Sequence, residues 1–369
     1  MPQAHPIYEQ VARFIADGEA AGDARFNTLA REVFAYQYDH NAIYRRFCDG
    51  RGRTPATVRA WAEIPAVPAA AFKEFELACG DAPPELEFLS SGTSRGAAHR
   101  SRHRIPYAAL YHQALECQFR ACVLPDAAPL EMVLLAPSPA LAPQSSLVHM
   151  LEYLRQNCAT GGRYYIKDDG PEFEAVAARL EAAAATAQAV LLAGITPAFL
   201  QLVLWLQAQD RRFVLGPGSR IMDTGGAKNF PAQFDRAQIE ALYTAGFGVP
   251  ASHIVNEYGM TEICSQFYDP RLRARAGHAA GDGLAAPHWV RTRVLDPDSL
   301  DEVAPGELGL LQHLDLANCG SVAAILTDDL GRRTATGFTL AGRVRGAEPR
   351  GCALLLQDLL HAGPARPTA

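Results

Sequence analysis

Four short apolar runs, each closing on small, turn-forming or polar residues, limit the folds open to this chain. They are "LEMVLLAPSP" (residues 130–139), "AVLLAGITP" (189–197), "GSRIMDTGG" (218–226) and "SHIVNEYGMTE" (252–262). The first two lead into "SSLVHMLEYLRQ" and "AFLQLVLWLQAQ", where apolar residues recur at helical spacing. Strands that alternate with helices predict an α/β core with mostly parallel, partly mixed sheets. In such cores ligands sit at the carboxyl ends of the strands, so the turns that close these runs are the first places to look for function.

Around this core the pattern changes. Residues 1–60 carry apolar side chains three and four apart and predict a helical segment. Pro65, Pro68, Pro83 and Pro84 then break the periodicity before a strand at Leu86–Leu89. "IPYAALYHQALECQFRACVL" predicts a helix, and the alanine-rich "EAVAARLEAAAATAQAV" is a helix by propensity. From about residue 290 short strands and turns predict a small β-rich portion.

The 369 residues suffice for a sizeable buried core. A net charge of −6 argues against nucleic acid as the main partner, since a basic footprint would be expected there. No apolar run is long enough for a membrane helix, and the N-terminus reads as an amphipathic helix rather than a signal peptide. The eight cysteines show neither CxxC pairs nor histidines at ligand spacing, so a disulfide framework and a zinc site are both disfavoured. A reducing cytoplasm is the expected location.

Directly after Leu86–Leu89 comes Ser90-Ser91-Gly92-Thr93-Ser94, followed by Arg95, His99, Arg100, Arg102, His103 and Arg104. A tight glycine turn with hydroxyl side chains makes a nest for an anion, and the cations behind it add charge. The loop lacks the lysine of a Walker A motif, which disfavours a P-loop NTPase. Taken alone it is a weak signal and reads more readily as a solvated turn. Three further segments go with it: "VNEYGMTEICSQFYD" (255–269), "GELG" (306–309) with "ILTDDLG" (325–331), and "LAGRVRG" (340–346).

In this order the motifs, which span roughly residues 60–355, resemble those of the adenylate-forming (ANL) superfamily. "SSGT", "GGAK", "EYGMTE" and the late "RGC" most resemble its LuxE-type acyl-protein synthetase branch, which includes atypical relatives from phenazine antibiotic pathways. The resemblance implies a helical segment over 1–60, an adenylate-forming core over 61–341 and a short remnant over 342–369 after the hinge. It implies ATP and Mg2+ as cofactors, with Ser90, Ser91, Gly92, Thr93 and Ser94 on the β- and γ-phosphates. Gly225, Gly226 and Ala227 would lie along the adenine, with Glu257 and Tyr258 in the adenine-stacking stretch. Thr261 would meet the α-phosphate, Glu262 would hold magnesium, Asp329 would bind the ribose hydroxyls, and Arg343 would serve at the hinge.

The chain also departs from the superfamily pattern. Arg95 stands where glycine is usual. The superfamily's mobile C-terminal domain would be truncated here and its catalytic lysine absent, because the lysines are Lys73, Lys167 and Lys228 alone. Cys352 is either a thiol that accepts the acyl group or a buried cysteine in an apolar "CALLL" strand. The expected reaction is activation of a small carboxylic acid as acyl-adenylate, then transfer to a thiol or reduction to an aldehyde by a partner. An aromatic, phenazine-type carboxylate is the expected substrate, with a slot beside "GITPAF" or "APQSSLVHM" that His149 would line. The alternatives are a fatty acyl-protein synthetase of a reductase complex and a non-catalytic nucleotide-binding scaffold for a reductase. A CoA ligase is disfavoured.

Overall fold

The computed structural model describes residues 5–90, 100–225, 234–275, 277, 281–344 and 350–362. The chain forms two compact units. The first comprises Met1–Cys117, Met260–Gln266 and Ala285–Ala369; the second comprises Gln118–Gly259 and Phe267–Leu284.

The first unit begins with three helices, α1 (Pro6–Ala16), α2 (Gly22–His40) and α3 (Ala42–Gly50). Pro6 opens α1, where its missing N–H costs nothing, and the His5 ring accepts from the Ile7 amide. Ile7, Val11, Phe14 and Ile15 make its buried stripe. Asn41 caps α3 through the Tyr44 amide, 2.9 Å away. The helical run ends at Gly50, earlier than the spacing predicts, because Arg51-Gly52-Arg53-Thr54-Pro55 introduces turn formers and a positive φ at Gly52. The strand β1 (Val67–Pro68), the single-turn helix α4 (Ala71–Glu74) and the antiparallel hairpin β2 (Leu86–Leu89) and β3 (Arg102–Ile105) follow. Helix α5 (Ala108–Val123) follows.

In the second unit the chain runs through β4 (Glu131–Pro137), α6 (Ser146–Asn157), β5 (Gly161–Lys167), β6 (Gly170–Pro171) and α7 (Phe173–Ala185). It continues through β7 (Val190–Ile195), α8 (Thr196–Ala208), β8 (Arg220–Thr224), α9 (Arg236–Phe247), β9 (Ile254–Tyr258), β10 (Phe267–Tyr268) and α10 (Arg271–Arg275). The seven-stranded sheet has the order β10-β9-β8-β7-β4-β5-β6. Its central pairs are parallel, as the alternating pattern predicts, with short antiparallel strands at both edges. Val133, Leu135, Val190, Leu192 and Ile221 are fully buried against α7, α8 and α9, which explains why these strands read as continuous apolar runs.

Back in the first unit, β11 (Val290–Leu295), β12 (Leu308–Asp315), β13 (Ala324–Arg333) and β14 (Phe338–Arg343) form the predicted β-rich portion. They join β1 in a five-stranded sheet. The chain then forms α11 (Arg350–Ala362). The "CALLL" run is thus helical rather than a strand. Cys352, Leu355 and Leu359 are buried while Leu354 and Leu360 are exposed, so the run has the three-and-four spacing of one helix face.

One glycine fixes the strand packing. A Cβ built on Gly194, at the end of β7, would lie 2.2 Å from the Leu135 carbonyl oxygen of β4. Gly194→Ala is therefore expected to lower stability by about 1–3 kcal/mol, as overpacking does in close-packed interiors. Gly50→Ala, where a Cβ meets nothing within 4 Å, should leave the urea midpoint almost unchanged. Equal midpoints for the two variants would contradict this packing.

Candidate active site

The hairpin β2–β3 sets the base of the Ser-Gly loop. The Ser90 amide donates to the Ser101 carbonyl at 3.0 Å, and the Ser101 amide donates to Ser90 Oγ at 2.9 Å. Arg100 donates to the Ser90 carbonyl. The loop therefore leaves and re-enters the hairpin through a hydrogen-bonded neck. Ser91, Gly92, Thr93 and Ser94 lie outside the described residues, as do Gly226 and Ala227.

Most of the described cations behind the loop are committed to the hairpin itself. Arg104 pairs with Glu76 and, at 2.8 Å, with Glu87; Arg102 lies 3.8 Å from Glu87. His103 is buried, and burial lowers its pKa to about 4, so it is neutral at ordinary pH. Its Nδ1 donates to the Thr261 carbonyl at 2.7 Å. The burst of charge in the sequence is thus largely structural.

That histidine is one of several anchors on Met260–Gln266. Asn318 Nδ2 donates to the Glu262 carbonyl at 3.0 Å, and Asn318 Oδ1 accepts from Cys264 Sγ at 3.2 Å. Asp315 accepts from the Cys264 amide at 3.0 Å and from Ser265 Oγ at 2.8 Å, while Trp289 Nε1 donates to the same Ser265 oxygen at 2.8 Å. Burial raises Asp315 to about 6 against these donors. Asp315, Asn318 and Trp289 were not singled out from the sequence. The available sign was a pair of polar residues, Asp315 and Asn318, inside the apolar stretch "LLQHLDLANCG".

So held, Glu262 places a buried carboxyl beside the neck of the loop. Burial raises its pKa, while a hydrogen bond from Ser101, its own backbone amide and the charges of Arg343 and Lys73 act the other way. Arg343 and Asp329 are register partners across β13 and β14. Arg343 Nε lies 3.0 Å from Asp329 Oδ1, and Nη2 lies 3.3 Å from Oδ2. Asp329 is buried, whereas more than half of the Arg343 side chain is exposed. Ser90, Ser101, Glu262 and Arg343 therefore belong to one locality of the first unit, with Thr261 next in the chain and Asp329 fixed to Arg343.

In the second unit the carboxyl ends of β8 and β9 carry a separate polar cluster. Thr224 and Glu257 are register partners, and the Thr224 hydroxyl donates to the buried Glu257 carboxyl. Burial, followed by the Asp223 charge, raises Glu257 to about 7, while the Thr224 hydrogen bond opposes the rise. Asp223, fully buried, accepts from Arg236 Nη1 at 2.7 and 2.8 Å, Thr196 Oγ1 at 2.9 Å and Tyr243 at 3.2 Å. Gly225 turns the chain with φ +77°, a left-handed conformation suited to glycine. The Tyr258 ring packs against Phe267 with centroids 5.6 Å apart. His149 is half-buried on α6, and Cys352 is fully buried on α11.

The family model for acyl-protein synthetase, LuxE, matches residues 16–361. The chain belongs to the LuxE acyl-protein synthetase family. A long-chain-fatty-acid–luciferin-component ligase of Vibrio harveyi is 25% identical to it over 347 residues, covering 90% of this chain and 88% of that protein. A ligase of the same name from Aliivibrio fischeri is 25% identical over 309 residues, covering 82% and 78%. Among solved structures, a 2-hydroxyisobutyryl-CoA ligase in its postadenylation state superposes with a TM-score of 0.62 at 15% identity, covering 91% of this chain and 73% of that one. Another structure of that ligase, in an open conformation, gives 0.61. The fold is that of the adenylate-forming enzymes.

Among the described residues no helix is long and apolar enough to cross a membrane, and no group of three or more His, Cys, Asp or Glu residues could hold a metal ion. The single carboxylate Glu262, with hydroxyl oxygens nearby, still fits magnesium, which usually takes one or two protein carboxylates and completes its shell with water and phosphates.

Between pH 4.5, the ordinary value for a glutamate, and about 7, folded Glu257 keeps a proton that the unfolded chain has released. Its contribution to stability therefore falls as pH rises through that window and is flat above it. Glu257→Gln is expected to melt progressively higher than the wild type from pH 4.5 to 7, with a constant gap beyond. Parallel melting curves over that range would contradict a buried, proton-holding Glu257.

Proposed function

We propose that the protein activates a fatty acid with ATP as an enzyme-bound acyl-adenylate and passes the acyl group to a thiol. The observation that carries this reading is the buried Glu262 carboxyl, placed beside the loop neck at Ser90 and Ser101 and facing the charge of Arg343. A carboxylate with cations and hydroxyls around it suits the binding of a metal–nucleotide, where each group finds a partner of opposite charge. When bound, magnesium neutralises phosphate charge and orients the triphosphate.

The chain's own residues supply the rest. The substrate carboxylate attacks the α-phosphorus, and the bond to the bridging oxygen breaks with its electron pair leaving on pyrophosphate. Thr261 donates to the α-phosphate, and Asp329, fixed by Arg343, accepts from the ribose hydroxyls. The Ser90–Ser94 loop receives the β- and γ-phosphates. Gly225, Gly226, Ala227 and the Glu257–Tyr258 stretch receive the adenine.

The names of the Vibrio and Aliivibrio relatives favour a long-chain fatty acid over the aromatic carboxylate expected from the likeness to phenazine-pathway relatives. They also favour a protein acceptor, so a reductase that takes the acyl group on to the aldehyde is the proposed partner. Cys352 sits on the buried face of α11 and meets an acyl-adenylate only if that helix lifts; otherwise the thiol belongs to the partner.

ATP–pyrophosphate exchange against a panel of fatty and aromatic acids tests this. Exchange is expected with long-chain fatty acids, with Glu262→Ala lowering it by about 100-fold or more, the scale for loss of a charge-stabilising group. Exchange confined to aromatic acids would return the substrate to that class. Silence across the panel with ATP still bound would favour the nucleotide-binding scaffold. Asp329→Ala is expected to weaken ATP about tenfold, the loss of a charge-assisted hydrogen bond of about 1.5 kcal/mol. Unchanged affinity by calorimetry would remove Asp329 from the ribose.

A further inference from the structure

Adenylation concentrates negative charge at the reacting phosphates, and a fixed cation there gives an enzyme one of the strongest means of lowering the barrier. Few described cations near Glu262 are free for that task. Arg102 and Arg104 are paired with Glu87 and Glu76, Arg100 serves the strand carbonyl at Ser90, and Arg343 is held by Asp329. Lys73 differs. It is exposed on α4 and takes part in no ion pair among the described residues.

Its position is fixed through its neighbour. The ring of Phe72, fully buried, meets the His103 ring edge-on with centroids 5.5 Å apart. His103 in turn donates to the Thr261 carbonyl at 2.7 Å. Two contacts thus tie α4 to the backbone that carries Thr261 and Glu262, and the Lys73 charge, like that of Arg343, favours the ionised Glu262 carboxyl.

We propose that Lys73 is a catalytic residue: its ammonium group contacts the phosphates beside Glu262 and stabilises the charge that leaves with pyrophosphate. This rests on the adenylation proposed above. Lys73 stays protonated throughout; it neither takes nor gives a proton, and the carboxylate attack and pyrophosphate departure balance without it. The long, flexible stem of an exposed lysine lets the charge follow the phosphates as the bond breaks.

The sequence makes this readable, because Lys73, Lys167 and Lys228 are the only lysines. Reductive methylation with 13C keeps the charge and gives each lysine an NMR signal, assigned with Lys73→Arg and Lys167→Arg. Addition of a non-hydrolysable ATP analogue with magnesium is expected to shift the Lys73 signal and to leave Lys167, which lies 3.8 Å from Glu172, in place. In parallel, Lys73→Ala is expected to lower the exchange kcat by about 100-fold with the KM for the acid within threefold, and Lys73→Arg to recover part of the loss. Unchanged melting would show that the effect is not structural.

If ATP binds but the Lys73 signal stays put, or if Lys73→Ala exchanges within threefold of wild type, the proposal is overturned while adenylation stands. If the signal moves and no acid supports exchange, Lys73 touches the phosphates but its catalytic role falls with adenylation. If wild type neither binds ATP nor exchanges pyrophosphate, both fall together.

Discussion

A carboxyl group kept from water has to be surrounded by donors or cations before a chain will fold around it, and Glu262 imposes that requirement on the first unit. Its segment, Met260–Gln266, has no regular secondary structure to hold it. The segment is instead secured by buried polar side chains: His103 on the Thr261 carbonyl, Asn318 on the Glu262 carbonyl, and Asp315 with Trp289 on Cys264 and Ser265. Each of these bonds is modest alone, yet loss of any one leaves a buried partner unsatisfied, which costs more than the bond contributed. The carboxyl is thereby preorganised, which is what an ionic ligand needs from its receptor.

The second unit solves a related problem with different chemistry. Asp223 is as deeply buried as any residue in the chain, but Arg236, Thr196 and Tyr243 satisfy it at the end of β8. Glu257, one strand over, has only the Thr224 hydroxyl among these donors and responds by holding its proton to about pH 7. A paired Asp223 anchors α9 against the sheet, while a near-neutral Glu257 avoids placing a second anion beside it.

Much of this was legible in the sequence, for physical reasons. Strands buried on both faces must be continuously apolar, so β4, β7 and the start of β9 announced themselves. Turns at their carboxyl ends need glycine or small residues, so Gly225 marked where the chain bends. The motifs that carry the family resemblance were readable because each is a short, local stretch of the chain. What was hidden depends on distance in sequence. Asp315 and Asn318 act on residues about fifty positions away, and no local pattern distinguishes an anchor from a stray polar residue. The cations behind the loop misled for the same reason: Arg102 and Arg104 are answered by Glu87 across the hairpin, and His103 is neutral in the interior. Cys352 was read against a strand because "CALLL" is too short for its helical period to show until Leu359 is counted.

The central claim is that the carboxyl substrate is joined to the α-phosphorus of ATP. A fatty acid labelled with 18O in both carboxylate oxygens, supplied with ATP and a thiol acceptor, tests that bond directly by mass spectrometry of the nucleotide released. Attack on the α-phosphorus leaves one labelled oxygen in AMP after the acyl group is transferred, and that is the expected result. Unlabelled nucleotide with the 18O in inorganic phosphate would instead mean attack on the γ-phosphorus, and would contradict an adenylating site built around Glu262.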